Sequence, residues 1–338
     1  MNAPAAILAR YPQLPHSGQV ITRLPAGTNT APWLISTTHG RYVLRRLPEY
    51  FTPERARFTA AAHDHAARTS GLAPAVLSNN DGHLTTEHGT HHYLLTRHAA
   101  GNHPHTDAAT PSQCHDLGTV LGRIHQHLRE LPVPATAPRQ AIPADPTAGI
   151  RAAAAAHAGP DCSHRHARRL LAAKLRRAQA LTTADLDELR SLPQALIHGD
   201  FHPGNVLVLD DNRISAVLDF DLARLAPPAY ELLRALLYCT QPAGPPTVYA
   251  PRVIAFLTGY LDVAPLSHRE LTTMTALYET TQLLDTYGLA VCDSAPPALL
   301  SFGHARFALL YWLRRNARTL TGLALQAHHH PTASKGTR

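Results

Sequence analysis

The stretch "LIHGDFHPGNVLV" at 196–208 gathers His198, Asp200, His202 and Asn205 between two apolar runs, and "AVLDFD" at 216–221 follows with Asp219 and Asp221. "VLVL" (206–209) and "AVLDF" (216–220) have strand length, and the intervening "DDNR" is rich in the residues that close tight turns. A hairpin built this way holds the 198–205 loop close to Asp219. Three oxygen-bearing side chains, Asp200, Asn205 and Asp219, then converge. Hard oxygen donors of this kind suit Mg2+, which keeps several waters and takes one or two carboxylates together with substrate phosphates.

These groups need elements to hold them. "QVITRLPAGTNTAPWLIST" and "GRYVLRRL" read as β-runs broken by a turn at "THG". Pro53 opens a helix, "PERARFTAAAHDHAART", which Gly71 ends. "HLTTEHGTHHYLLTRH" gives a further pair of short strands around Gly89. Thr110 and Pro111 fit an N-cap and first helical position, and Leu117, Val120, Leu121, Ile124 and Leu128 share one helical face before Pro132. A proline-rich connector at 131–146 leads to polar helical sequence, and helical patterning returns from 228 to 322. The expected architecture is α+β and two-lobed. Residues 1–97 form a small antiparallel β lobe with one helix, 98–325 a larger, mainly helical lobe, and 326–338 a disordered tail.

A length of 338 residues suits two lobes, and 44% hydrophobic residues supply their cores. No apolar run has the length of a membrane helix, and "MNAPAAILARYPQLP" lacks the basic and apolar regions of a secretory signal. Cys114, Cys162, Cys239 and Cys292 form no C-x-x-C pair and read as reduced thiols of a cytoplasmic protein. The net charge of +7 is carried almost wholly by arginine, since lysine occurs only at Lys174 and Lys335. No basic run is interleaved with aromatics, so neither nucleic acid nor a membrane is an expected partner. "AHHHP" at 327–331 reads as part of a solvated tail. The absence of any G-x-G or G-x-x-x-x-G-K-[ST] excludes the Rossmann and P-loop schemes of phosphate binding.

His198-Gly199-Asp200, four residues, then Asn205 has the H-x-D-x-x-x-x-N layout of a kinase catalytic loop, with "DFD" in the place of D-F-G. With "LIHGDFHPGNVLV" followed by "AVLDFDLARLAPPAYELLRAL", the chain resembles the aminoglycoside phosphotransferase and choline kinase-like superfamily over most of its length. "GTN" at 27–29 stands where that family has its phosphate-covering hairpin. "YVLRR" matches its third strand, "YLLTRHAAG" its hinge, and "LGTVLGRIHQHL" the first long helix of its C-terminal lobe. The resemblance implies a protein-kinase-like fold, with ATP as donor and Mg2+ as metal. It implies Asp200 as catalytic base, with His198 and His202 bracing the catalytic loop, and Asn205 and Asp219 as Mg2+ ligands. Gly27, Thr28, Asn29 and Arg45 are the implied nucleotide contacts. Glu231 is expected to tie its helix to the loop, and Asp221 to pair with Arg224 at the surface.

The chain departs from that family on the donor side. The usual strand lysine, which holds the α- and β-phosphates and pairs with a helix glutamate, has no counterpart, because no lysine precedes Lys174. Arg45 stands in its place and Thr59 in the place of the glutamate, with Glu54 one turn early and Asp64 one turn late. Guanidinium can grip phosphate in a bidentate manner, with altered geometry.

The expected activity is ATP-dependent transfer of the γ-phosphate to a hydroxyl of a small molecule or natural product, in antibiotic resistance or biosynthetic tailoring. One alternative acceptor is a Ser or Thr hydroxyl on a peptide precursor, a biosynthetic role that would bring a partner protein. A non-catalytic scaffold is favoured by the missing lysine and glutamate and opposed by intact Asp200, Asn205 and Asp219. A metallohydrolase using His198, Asp200 and His202 would need a further ligand cluster. From residue 226 onward six acids, Glu231, Asp262, Glu270, Glu279, Asp285 and Asp293, stand against nine Lys and Arg. That balance disfavours a polycationic acceptor and fits a neutral or anionic one. Glu279 and Asp285 are the candidate acceptor contacts, with structural pairing to Arg306 or Arg314 as the other reading.

Overall fold

The structure is a computed structural model that describes residues 3–15, 18–24, 31–157, 162–241, 246–287, 289 and 297–329. After a short helix, α1 (Ala3–Leu8), come β1 (Val20–Arg23), β2 (Trp33–Thr37), β3 (Gly40–Arg46), α2 (Pro53–Ser70), β4 (Thr85–His88) and β5 (His91–Arg97). The strands form one antiparallel sheet in the order β1-β2-β3-β5-β4. Side chains alternate across it. Tyr42 and Leu44 of β3 turn to one face and pack with Ile35, Tyr93, Leu95 and with Ile7, Leu8 and Tyr11 from α1 and the turn after it. The sequence pattern does not mark α1, whose six residues are held by that burial. Arg45 lies on the opposite face beside Leu94, its partner in register. Leu94 packs there with Leu47, Phe51, Ala56 and Ala60, which seats α2 against the sheet.

The ends of α2 fall where the sequence predicts them. Thr52 caps its N-terminus by accepting from the Arg55 N–H, Pro53 begins it, and Gly71 ends it at φ +67°. A cap of this kind contributes about 1 kcal/mol.

The helical part comprises α3 (Pro111–Leu128), α4 (Ala148–Ala156), α5 (Cys162–Gln179), α6 (Thr183–Arg190), α7 (Pro228–Cys239), α8 (Ala250–Leu261), α9 (His268–Leu284) and α10 (Pro297–His329). Between α6 and α7 run β6 (Ala195–Ile197), a 3-10 turn (Pro203–Asn205), β7 (Val206–Val208), β8 (Ile214–Val217) and β9 (Arg224–Ala226). β7 and β8 form the expected hairpin, and β6 pairs with β9. Thr110 and Gln113 build a reciprocal capping box on α3. Leu117, Leu121, Ile124 and Leu128 of α3 enter the main core with Leu232, Leu236, Phe256 and Tyr260. α3 and α8 cross at backbone contact, since a Cβ at Gly118 would lie 2.0 Å from the Phe256 carbonyl oxygen.

The observed architecture is the expected α+β one. The disorder expected from residue 326 does not hold for 326–329. Leu320, Ala324 and Ala327 are buried at helical spacing, and that apolar face carries α10 through His329. Residues 330–338 lie outside the described residues. Cys114 and Cys239 are free and buried, while the side chains of Cys162 and Cys292 also lie outside the description. Among the described residues no helix is long and apolar enough to cross a membrane.

Candidate active site

β6 delivers the chain to Gly199, which has φ +87° and no room for a side chain, since a Cβ would lie 2.0 Å from the Leu222 carbonyl oxygen. The loop from 198 to 205 is thereby pressed against the approach to β9. His198 is fully buried; its Nε2 donates to the Leu218 carbonyl at 2.9 Å and its Nδ1 accepts the Asp200 N–H at 3.2 Å. A carbonyl only accepts and an amide N–H only donates, so the ring is the neutral Nε2–H tautomer. Burial agrees, holding its pKa below the usual histidine value. His198 therefore braces the loop, and with both nitrogens engaged it has none left to ligate a metal. Among the described residues no three His, Cys, Asp or Glu side chains are grouped to hold a metal.

Asp200 stands at the mouth of this loop. Its Oδ1 accepts from Arg234 Nη2 of α7, and its Oδ2 from Asn205 Nδ2 at 3.2 Å, with His202 Nε2 at 3.7 Å. Burial by itself raises the pKa of Asp200; the nearby His202 and the Arg234 charge outweigh it and hold the carboxyl below the usual range. His202 in turn caps the 3-10 turn, its Nδ1 accepting from the Gly204 N–H at 3.1 Å.

The expected task of Glu231 is realised. This fully buried carboxylate of α7 accepts the Phe201 N–H at 3.0 Å and His125 Nε2 of α3 at 2.9 Å. Burial raises its pKa, and the bond from His125 with the nearby histidines and the Gly199 N–H more than reverses the shift. The loop, α3 and α7 are joined at one ionised group.

Asn205 and Asp219 meet at the same end of the β7–β8 hairpin, where the Leu218 N–H donates to the Asn205 carbonyl at 2.7 Å. The amide of Asn205 directs Nδ2 to the Asp200 carbonyl at 3.0 Å, which turns its Oδ1 the other way. Asp219 has φ +63°, a left-handed conformation that aspartate tolerates better than most residues and that marks a backbone held by its surroundings. An amide oxygen and a carboxylate from this one hairpin end are a donor set that fits Mg2+.

Arg45 reaches across from β3 to this point. Its Nη2 lies 3.1 Å from Asp219 Oδ1 and 2.7 Å from Asp221 Oδ2. The expected surface pair of Asp221 with Arg224 is not formed. The left-handed turn at Asp219 drives Asp221 inward, where burial pushes its pKa up to about 6, and Arg224 bonds Gln140 Oε1 at 3.2 Å instead. Neither displaced acid of α2 replaces the absent helix glutamate: Glu54 pairs with Arg57 at 3.1 Å and Asp64 with Arg68 at 2.8 Å. Gly27, Thr28 and Asn29 lie outside the described residues. The two candidate acceptor contacts are both in ion pairs, Glu279 with Arg177 at 3.0 Å and Asp285 with Arg306 at 2.7 Å.

Sequence reasoning missed Arg234, Arg55 and His125. Arg234 had a signal: it lies three residues after Glu231 on one helix, so a Glu231 placed under the loop carries Arg234 to the same side. His125 and Arg55 meet their partners only through the tertiary fold.

Comparison with known proteins agrees with this geometry. The model of the phosphotransferase enzyme family matches residues 20–266, well over half of the chain, and the chain belongs to that family. An aminoglycoside phosphotransferase from Alicyclobacillus acidocaldarius superposes with a TM-score of 0.60 at 16% identity, covering 96% of each chain. A microcompartment-associated aminopropanol kinase gives 0.66 at 18% identity over 94% of this chain and 98% of its own. Amicoumacin kinase, in complex with AMP-PNP, Ca2+ and Ami, gives 0.64 at 13% identity over 91% and 92%. No curated protein sequence matches the chain. Membership makes the chain a phosphotransferase, and these solved structures share its fold.

Proposed function

We propose that the chain transfers the γ-phosphate of ATP to a hydroxyl of a neutral or anionic small molecule, such as a natural product. The observation that carries this reading is the meeting of Asp200, Asn205 and Asp219 at one hairpin end, with Asp200 held ionised. Asn205 and Asp219 would hold Mg2+, which supplies charge neutralisation on the donor phosphates. Arg45 would contact those phosphates from the sheet side. Asp200 would accept a hydrogen bond from the acceptor hydroxyl and point its oxygen at the γ-phosphorus. As the new P–O bond forms, the bond to the β–γ bridging oxygen breaks, ADP leaves, and Asp200 takes the hydroxyl proton. A lowered pKa makes Asp200 a weak base, which suits a loose transition state in which positioning outweighs early proton removal.

The acceptor class follows from charge. Glu279 and Asp285 are neutralised by arginines, and the flank of Asp200 is formed by Arg234 stacked over Tyr238. Such a flank favours a neutral or anionic acceptor over a polyamine. Residues 1–97 would form the donor lobe and 98–325 the catalytic and acceptor lobe. The free buried thiols suit the cytoplasm, where ATP is supplied.

The test is ADP release over a panel of hydroxylated acids, sugars, nucleosides and aminoglycosides, with wild type and Asp200→Asn. Acceptor-dependent release is expected from a neutral or anionic member and is lost in the variant. Equal release by the variant would contradict the role of Asp200, and release with aminoglycosides alone would contradict the acceptor class.

A further inference from the structure

Several buried polar groups around the "DFD" stretch have no task in the transfer step described above. Asp221 is 4% exposed, and its Oδ1 has no hydrogen-bond partner among the described residues. Its Oδ2 holds Arg45 of β3 at 2.7 Å. Its backbone carbonyl accepts from Arg55 Nη2 of α2, whose Nη1 is also buried and without a partner among the described residues. One residue of the helical part thus collects two guanidinium groups from two separate elements of the sheet part. Buried ions of either sign are costly alone, so each of these groups holds the others in place.

The face of α2 that meets this stretch can be traced. Residues 55, 59 and 63 recur at i, i+4 and i+8 and share one side of the helix. Arg55 reaches Asp221, and His63 stacks on Phe220 with ring centroids 4.9 Å apart. Thr59 lies between them, buried, with a hydroxyl that has no partner among the described residues. In kinases a carboxylate from such a helix fixes the strand cation. Here the helix contributes a cation, and the carboxylate comes from the loop below it.

We infer that Asp221 is a positioning residue that replaces the helix carboxylate, and that Arg45 and Arg55, anchored on it, form a two-arginine clamp for the phosphates of the donor. This deepens the proposed function and rests on it. Arg45 is shared between Asp219 and Asp221. Without the Asp221 contact its guanidinium is drawn wholly onto Asp219, away from a donor and onto a metal-ligand candidate. A strand arginine suits this inverted polarity: its planar fork can keep the acid with one nitrogen and offer another to phosphate.

The test is ATP affinity by calorimetry for wild type, Asp221→Asn and the double variant Thr59→Glu with Asp221→Asn. Each is measured with Mg2+ and with EDTA, and ligand-free melting serves as a check on folding. Asp221→Asn is expected to bind ATP about tenfold more weakly or worse in both conditions, with much of the loss recovered by a glutamate at 59. Unchanged affinity in Asp221→Asn would overturn the inference. So would a loss confined to Mg2+-containing samples, which would make Asp221 a metal ligand, or a folded double variant with no recovery. If Asp221→Asn fails to fold, Arg55→Gln probes the clamp from α2, where weakened ATP binding is expected and unchanged binding overturns the inference. A wild type that binds no ATP would remove the proposed function, and the clamp with it.

Discussion

The loop that carries Asp200 and the stretch that carries Asp219 and Asp221 lie side by side at one end of a hairpin, yet their charges are held from opposite directions. Asp200 is bonded by Arg234, and its loop is held at the Phe201 N–H by Glu231, itself bonded to His125, all three from the helical part. Around Asp219 and Asp221 they are Arg45 and Arg55, both from the sheet part. The Asp200 loop is thus tied within the helical part, whereas the Asp219–Asp221 stretch is tied to the sheet, and in the proposed function these would be the acceptor and donor sides. Damage to the first should appear in turnover, and damage to the second in donor binding.

The largest expected effect breaks the comparison at its chemical centre. Asp200→Asn should lower kcat by roughly 10²–10⁴-fold while ATP affinity by calorimetry stays near that of wild type. Glu231→Ala tests whether the loop is held from below. Removing one partner from a buried, hydrogen-bonded charge costs about 3–5 kcal/mol, and chemical denaturation should show that loss, with a smaller one for Glu231→Gln. Arg234→Ala should reduce kcat by roughly 10–100-fold with little change in the KM for ATP. It should also move the acid limb of the pH–rate profile upward, because the charge that favours ionised Asp200 is gone.

The smallest effect concerns His63, which stacks on Phe220 beneath the donor side. Burial, with help from the Arg45 charge, lowers its pKa from 6.5 to about 3. The unfolded state then binds more protons over that window, so its contribution to stability is complete above 6.5 and is lost as pH falls toward 3. Between about pH 7.5 and about pH 5 the melting temperature of wild type should fall by several degrees more than that of His63→Gln, which keeps a donor for the Pro74 carbonyl. Parallel curves would mean that His63 already carries a proton in the fold.

The two sides of the site were not equally legible in the sequence. Asp200, Asn205 and Asp219 are positioned by local devices, a glycine that alone fits its turn, a 3-10 turn and a hairpin, and such devices leave fixed spacings along the chain. The same holds for α2 and α3, whose caps and apolar periodicity mark their ends. Asp221 was misread because its partner is 176 residues away on β3, and nothing in the surrounding sequence records that meeting. α1 and β9, of six and three residues, are too short to show a period and are held by contacts from elsewhere. Glu279 and Asp285 were visible as acids, but only the neighbouring helices show that each already has an arginine.

The most direct measurement is the thermal-unfolding shift produced by ATP, with and without Mg2+, in wild type and Asp219→Ala. A working donor site predicts a Mg2+-enhanced shift in wild type, equivalent to about 2.7 kcal/mol at a hundred times the dissociation constant, with the enhancement absent from the variant. No shift in wild type at millimolar ATP, or an equal Mg2+ enhancement in Asp219→Ala, would contradict the account.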